Sequence, residues 1–131
     1  MTELLVLNVV CAIIIKNDGR ILITQRSERM KMPLKWEFPG GKIEIGENAE
    51  HAVIREIKEE LNLNIRIVKS HLPYKHQYPG FTLLMMPYET EIVSGELFLK
   101  EHRNYAWVNP SEFPSFDFSD GDMEIVRRLM Q

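Results

Sequence analysis

The stretch Arg-Glu-Ile-Lys-Glu-Glu-Leu-Asn, residues 55–62, contains three glutamates whose spacing would bring their carboxylates together on a helix. Glu56, Glu59 and Glu60 stand at i, i+3 and i+4, where like charges repel by about 0.2–0.5 kcal/mol per pair. Arg55 lies four residues before Glu59 and can offset only part of this repulsion. A divalent cation would relieve the rest, because Mg²⁺ prefers oxygen ligands and is commonly shared between carboxylates and substrate phosphates. The spacing therefore favours a Mg²⁺ site, and a solvated acidic helix face is the alternative.

A helix over residues 48–61 would position these carboxylates. Its apolar residues form one stripe at helical spacing, which consists of Val53, Ile54, Ile57 and Leu61. The glutamates adjoin this stripe, so we expect them at the rim of the core rather than on the far solvent face. Asn62 follows the helix, and we predict a positive φ there, because after Gly it is Asn that adopts left-handed geometry at the least cost.

The rest of the pattern predicts strands on both sides of this helix. Strands are expected over residues 4–15, 20–26, 63–70 and 104–109, with a hairpin around Pro79-Gly80. A C-terminal helix is expected over residues 119–130, with Ser119 as its N-cap and Asp122 three residues on. These elements predict an α/β fold in which a mixed β-sheet packs between helices. A chain of 131 residues suits a single domain over residues 1–131.

Composition and charge argue against several classes of protein. A net charge of −3 provides no global basic field, so we expect no stable nucleic-acid binding. Cys11 is the only cysteine, which excludes a disulfide within the chain and a cysteine-rich zinc site. The apolar run at residues 4–15 is too short to span a membrane, and Glu3, with no Lys or Arg before it, argues against a signal peptide. We therefore expect a cytoplasmic protein without a membrane partner, either a monomer or a homodimer.

A longer spaced pattern surrounds the glutamates. It consists of Gly41, Glu47, Arg55, Glu56, Ile57, Glu59, Glu60 and Leu63. Over residues 41–63 it resembles the Nudix box, G-x5-E-x7-R-E-U-x-E-E-x-G-U, where U is aliphatic, and Asn62 in place of the last Gly is the single departure. Before the helix, residues 36–47, Trp-Glu-Phe-Pro-Gly-Gly-Lys-Ile-Glu-Ile-Gly-Glu, are similar to the MutT-type nucleoside triphosphate pyrophosphohydrolases. The resemblance implies a Nudix-type α/β/α sandwich with a loop–helix–loop catalytic motif.

The resemblance assigns the chemistry to the helix. Glu56, Glu59 and Glu60 are expected to bind Mg²⁺, with Mn²⁺ as a substitute, and one of them to activate the attacking water. Arg55, four residues before Glu59, is expected to hold the carboxylate of Glu59 in place. Which glutamate acts as the base stays open.

Three positions outside the helix are further candidates for the metal site: Gly41, Glu47 and Glu101. Glu47 is expected to support the metal from an outer shell, or alternatively to be a first-turn charge that the helix dipole favours. Glu101 lies in a loop where an acidic residue of the family acts as a metal ligand or base, although a loop carboxylate can also be plain surface.

Two cations and two glycines are expected to bind the substrate phosphates. Arg26 and Lys42 are the candidate phosphate ligands, with solvated surface cations as the alternative. Gly40 and Gly41 are expected to adopt backbone geometry closed to other residues and to allow a close backbone approach to the ligand.

The nucleobase would contact residues from distant parts of the chain. Asp122 is expected to hydrogen-bond the base, either as an acceptor or, if burial keeps it protonated, as a donor. Its alternative role is that of a capping-box partner for Ser119. Phe38 and Tyr78 are expected to enclose the base, with core packing as the alternative.

The implied reaction is Mg²⁺-dependent hydrolysis of a (deoxy)nucleoside triphosphate to the monophosphate and pyrophosphate. Oxidised dGTP and the pyrimidine nucleotides CTP and dCTP are the candidate substrates. Two alternatives stay open. The first is a Nudix hydrolase of ADP-ribose, a nucleotide sugar or a diadenosine polyphosphate, and the second is a Nudix module that senses a nucleotide without cleaving it.

Overall fold

The computed structural model describes residues 5–131 of the chain. In this range the eight strands are β1 (Leu5–Ile14), β2 (Ile21–Gln25), β3 (Trp36–Glu37), β4 (Gly40–Lys42), β5 (Leu63–Ser70), β6 (Tyr74–Tyr78), β7 (Phe81–Gly95) and β8 (Asn104–Val108). The α-helices are α1 (Ala49–Leu61) and α2 (Met123–Leu129), and two 3-10 helices span Pro110–Ser115 and Asp120–Asp122. Leu4, the first residue of the predicted N-terminal strand, lies outside the described residues, as does the start of the predicted domain.

The strands form two sheets. The larger is mixed and has the order β4-β1-β7-β5, with β6 also pairing with β7. Within it β1 and β7 run parallel, and the other pairs are antiparallel. The smaller sheet is antiparallel and has the order β3-β2-β8. The predicted hairpin around Pro79-Gly80 is confirmed as the connection from β6 to β7.

Strand β1 lies at the centre of the molecule and is buried on both of its faces. Val10, Ala12 and Ile14 pack in one core cluster with the apolar stripe of α1. Cys11 and Ile13 pack in the other cluster, which includes residues of α2. Successive strand residues point to opposite faces. The predicted arrangement of a mixed sheet between helices is therefore confirmed. Neither helix between Leu5 and Gln131 has the length and apolar character needed to cross a membrane.

The helix α1 begins and ends close to the predicted positions. Asn48 is its N-cap, and the Asn48 side chain accepts a hydrogen bond from the backbone N–H of His51. Asn62 follows the last turn with φ 59° and ψ 33°, and its backbone N–H donates to the carbonyl of Lys58. The predicted positive φ at Asn62 is confirmed, since the chain leaves the helix there through a left-handed residue.

The predicted C-terminal helix over residues 119–130 is wrong in its first turn. Asp120–Asp122 form a 3-10 helix, and the α-helix begins only at Met123. The Ser119 side chain does not cap the backbone. Instead the backbone N–H of Ser119 donates to the carbonyl of Trp36, which ties this turn to β3. The tertiary contact takes the place of the predicted capping box.

Candidate active site

Arg55 of α1 binds several carboxylates at once. Its Nε and Nη2 donate to the two carboxylate oxygens of Glu47 at 2.6 and 2.9 Å. Its Nη1 donates to Glu56 at 3.0 Å and to Glu59 at 3.1 Å. Nη2 also donates to the backbone carbonyl of Lys42 in β4. Glu47 first, and then Glu56, raise the pKa of Arg55. The guanidinium therefore relieves much of the like-charge crowding that the sequence places on this helix.

Glu47 has both carboxylate oxygens engaged. Besides the two bonds from Arg55, its Oε1 accepts from the backbone N–H of Glu44 at 3.0 Å. The hydrogen bond from Arg55, followed by that from Glu44, lowers the pKa of Glu47 to about 2. Glu47 thus secures the loop before α1 and orients Arg55. Its predicted place in an outer shell agrees with this geometry, whereas direct metal ligation would require it to give up these bonds.

Glu56 lies against the glycine strand β4. Its side chain is only 13% exposed, and burial raises the pKa of its carboxyl. A Cβ added to Gly41 would lie 2.4 Å from the carboxylate carbon of Glu56. A Cβ on Gly40 would lie 1.9 Å from the carbonyl oxygen of Val10. Neither glycine has a positive φ. The predicted unusual backbone geometry is wrong, because what requires glycine at both positions is a close approach by other parts of the protein.

Glu60 faces a buried histidine. Among the described residues, two buried side-chain atoms lack a hydrogen-bond partner, and they are Glu60 Oε2 and His102 Nδ1. The two atoms are 3.7 Å apart. Burial, and next the charge of Glu101, raises the pKa of Glu60. Leaving a buried polar group unpaired costs about 1–3 kcal/mol. An oxygen in this state is suited to receive an external ligand.

The carboxylates of α1 fit a divalent cation, although they are not arranged around one. Within residues 5–131 no three His, Cys, Asp or Glu side chains converge closely enough to hold a metal ion. One reason is that Arg55 occupies oxygens of Glu56 and Glu59. The fit rests instead on the unpartnered Oε2 of Glu60 and on the lack of a side chain at Gly41, which lets the carboxylate of Glu56 lie against β4. Hard oxygen donors of this kind suit Mg²⁺ or Mn²⁺.

A cavity of about 380 Å³ reaches β4, whose Gly41 lies against Glu56. Its polar lining includes Arg26, Lys31, Glu37, Lys42, Tyr78 and Asp122, and its apolar lining comes mainly from β1 and β7. Gly40 and Gly41 form part of its wall. Gly41 therefore touches both the cavity and the carboxylate of Glu56. The volume falls within the range of small-molecule sites, which is roughly 300–1,000 Å³.

The two predicted phosphate ligands differ in how firmly they are held. Arg26 Nη1 donates to Glu37 Oε1 at 2.8 Å, and Arg26 Nε donates to the carbonyl of Lys31. Its side chain is largely buried, so the alternative of a solvated surface cation does not apply to Arg26. Lys42 also lines the cavity but is exposed.

Asp122 is buried in the cavity wall and hydrogen-bonded on both oxygens. Its Oδ2 accepts from the backbone N–H of Phe38 at 2.8 Å, and its Oδ1 accepts from the hydroxyl of Ser119 at 3.3 Å. Burial, and next the charge of Glu37, raises the pKa of Asp122 to about 8. The carboxyl is therefore mainly protonated near pH 7, and it can offer a ligand both a donor and an acceptor.

The two predicted aromatic contacts have different surroundings. The ring of Phe38 belongs to the core, where it stacks on Phe118 with centroids 5.5 Å apart. Phe38 also lines the cavity, and its backbone N–H donates to Asp122, so the position of its ring favours the alternative of core packing. Tyr78 stacks on Phe81, and its hydroxyl accepts from the backbone N–H of Gly121 at 2.6 Å. It stays in the cavity lining.

Comparison with known proteins identifies the family. The family model of the NUDIX domain matches residues 5–129. The chain belongs to this family. The family membership predicted from the Nudix box is thereby confirmed. The glutamates of α1 occupy the three Glu positions of the R-E-U-x-E-E segment of the box.

Several Nudix relatives cover nearly the whole chain. The CTP pyrophosphohydrolase of Escherichia coli (strain K12) is 28% identical over 121 residues, which are 92% of this chain and 90% of the relative. An 8-oxo-dGTP diphosphatase of Haemophilus influenzae is 30% identical over 122 residues, with 92% and 90% covered. The solution structure of a MutT protein from methicillin-resistant Staphylococcus aureus 252 matches with a TM-score of 0.77 and 34% identity, and 98% of each chain is covered.

Two residues of this Nudix site were not anticipated from the sequence. Glu37 bonds to Arg26 and to His102, and His102 faces Glu60. In the sequence, only their positions indicated that these two residues could belong to the site. Glu37 lies within the segment that resembles MutT-type enzymes, and His102 directly follows Glu101. Glu101 itself is exposed, and the chain brings its charge close enough to influence Glu60.

Proposed function

We propose that this Nudix protein hydrolyses a (deoxy)nucleoside triphosphate to the nucleoside monophosphate and pyrophosphate. The observation that carries this proposal is the position of Gly41, which borders both the cavity and the carboxylate of Glu56. A nucleotide seated in the cavity would have its phosphates beside the glutamates of α1. The oxygen of a water molecule then bonds to an internal phosphorus, the anhydride bond between the α- and β-phosphates breaks, and a glutamate accepts the proton of the water.

The residues around Gly41 are suited to bind Mg²⁺, with Mn²⁺ as the alternative. Glu56, Glu59 and Glu60 are the proposed ligands, together with the backbone of Gly41 and the carboxylate of Glu101. When bound, the ion would neutralise phosphate charge and polarise the phosphorus that is attacked. Glu47 would support the site indirectly by holding Arg55.

The cations of the cavity would bind the triphosphate. Arg26 is oriented by Glu37, so its guanidinium is fixed at the cavity wall. Lys42 follows the glycines directly and is exposed at the same wall. Lys31 adds a third positive charge. Charge-assisted bonds to phosphate oxygens are among the stronger hydrogen bonds in proteins.

The names of the relatives suggest two substrates, oxidised dGTP and CTP or its deoxy form. The protonated carboxyl of Asp122 could recognise either base, since it combines a donor and an acceptor. Tyr78 would lie beside the base. We retain the predictions of a single domain over residues 1–131 and of a cytoplasmic monomer or homodimer that binds no nucleic acid.

A panel of nucleotides with Mg²⁺ tests the proposal. The panel contains normal and oxidised triphosphates, ADP-ribose, a nucleotide sugar and a diadenosine polyphosphate, and the products are separated by ion-exchange chromatography. We expect a triphosphate to yield monophosphate and pyrophosphate in equal amounts. Release of inorganic phosphate alone, or faster cleavage of a non-triphosphate, would contradict the proposal. Tight binding of a triphosphate without turnover would favour a sensing module instead.

A further inference from the structure

His102 is an unusual residue for an exposed loop, because only 2% of its side chain is accessible. Its Nε2 lies 2.8 Å from Glu37 Oε2, and the other oxygen of Glu37 accepts from Arg26 at 2.8 Å. Its Nδ1 faces Glu60 Oε2 at 3.7 Å. One imidazole therefore lies between a cation of the cavity wall and a glutamate of the Nudix box.

The distance between His102 Nδ1 and Glu60 Oε2 shows that the two buried atoms face each other without forming a hydrogen bond. A separation of 3.7 Å is too long for a direct hydrogen bond. Both atoms are nevertheless buried, and neither has a partner among the described residues. A small rotation of the flexible Glu60 side chain would bring its carboxyl group to Nδ1, and a proton on either atom would complete the hydrogen bond. A histidine that merely filled space would not face the one other unpartnered buried side-chain atom in residues 5–131.

The backbone on both sides of His102 is fixed to the elements that carry the site. The N–H of Lys100 donates to the carbonyl of Glu60 in the last turn of α1, at 3.1 Å. The N–H of Arg103 donates to the carbonyl of Gln25 at the end of β2, at 2.9 Å. His102 is thus held between α1 and β2 by its own chain, and its ring position does not depend on the Glu60 contact.

We propose that His102 is a positioning residue that fixes the carboxylate of Glu60 and, through Glu37, the guanidinium of Arg26. The proposal rests on the proposed function, in which Glu60 binds the metal ion and Arg26 binds phosphate. His102 touches neither substrate nor metal. It sets the distance and orientation between the two groups that do, because both of its ring nitrogens are aimed at their carboxylate partners.

Two substitutions of His102 test the contributions of its two ring nitrogens one at a time. In His102→Gln, the terminal amide reaches the position of Nε2 and can keep the bond to Glu37. In His102→Asn, the amide reaches the position of Nδ1 and keeps a polar group opposite Glu60, while the bond to Glu37 is lost. His51→Gln is the control, because His51 is an exposed histidine on α1.

Mn²⁺ binding to the substrate-free protein, followed by electron paramagnetic resonance, is the first measurement. For His102→Gln we expect a Kd for Mn²⁺ about 10-fold higher and a kcat about 10-fold lower, with KM unchanged. For His102→Asn we expect the Kd for Mn²⁺ to stay within about 3-fold, while KM for the triphosphate rises about 5-fold, because Arg26 loses its support. His51→Gln should match the wild type in all three constants.

Equal losses in both His102 variants, accompanied by lower melting temperatures without metal, would overturn the proposal in favour of a purely structural role. Unchanged constants in both variants would overturn it as well. The Mn²⁺ titration needs no turnover. If the wild type binds Mn²⁺ but cleaves no nucleotide of the panel, the proposed function fails, while a selective loss of Mn²⁺ affinity in His102→Gln still supports the positioning of Glu60.

Discussion

Glu47 of the Nudix box and Asp122 are acidic groups of one region, but their surroundings shift their pKa values in opposite directions. Around α1 the guanidinium of Arg55 binds several carboxylates, and the pKa of Glu47 falls to about 2. Around Asp122 the partners are a backbone N–H and a hydroxyl, and the pKa rises to about 8. The first region is suited to a cation and phosphates, and the second to an uncharged nucleobase. The cavity beside Asp122 and the glutamates on the other side of Gly41 would together suit the two parts of a nucleotide.

The largest effect is expected from removing charge in the first region. Glu56→Gln should lower kcat about 10²–10⁴-fold, because the amide keeps the shape and the bond from Arg55 but cannot accept a proton or bind a cation as well. Steady-state kinetics with Mg²⁺ measure the loss of kcat, and a melting curve checks that the variant is folded. Glu50→Gln, an exposed position on α1, is the matched control. Normal turnover in both Glu56→Gln and Glu60→Gln would remove the glutamates from the mechanism.

An intermediate effect is expected from replacing the two glycines of β4 by alanine, and the two variants should differ in stability and in activity. Gly40→Ala should lower the free energy of unfolding by about 3 kcal/mol, because the new Cβ would collide with a rigid backbone carbonyl of β1. Gly41→Ala should cost about 1 kcal/mol or less, since its neighbour is the mobile end of the Glu56 side chain. The displaced carboxylate should then reduce kcat about 10–100-fold. Urea unfolding and kinetics on both variants test this division, and a reversed pattern would contradict it.

The third expected effect is a change in the pH dependence of stability in the second region. The pKa of Asp122 is about 8 in the folded protein and 3.8 in an ordinary carboxyl. Between these values the folded chain keeps a proton that the unfolded chain has lost, so stability falls as pH rises. Relative to Asp122→Asn, we expect the wild type to lose stability by up to about 1.4 kcal/mol per pH unit.

Urea unfolding between pH 5 and pH 8 measures this difference. The asparagine can still accept from the N–H of Phe38 and can donate to the hydroxyl of Ser119, so its fold should be retained. Asp120→Asn is the control on the same 3-10 helix, where the side chain is exposed. Parallel stability curves for the wild type and Asp122→Asn would show that Asp122 is ionised in the folded protein.

The fold and the box were predictable because their signals are local. The apolar stripe, Asn48 and Asn62 define α1 to within one residue at its start, and the strands β1, β2, β5 and β8 agree with the prediction within one residue at each end. The first turn of α2 was not predictable. Ser119 and Asp122 have the spacing of a cap and their side chains bond to each other, but Ser119 N–H also donates to Trp36 and Asp122 accepts from Phe38, both distant in the chain.

The sequence by itself determined the carboxylate helix, its left-handed end at Asn62 and the family. These properties follow from spacing along a helix, which covalent geometry and backbone hydrogen bonds fix over a few residues. Only the tertiary structure decided that Arg26, Glu37, His102 and Glu60 form one chain of contacts and that Asp122 is protonated near neutral pH. The physical reason is that burial and neighbouring charge depend on residues distant in sequence, which meet only when the sheets pack between the helices.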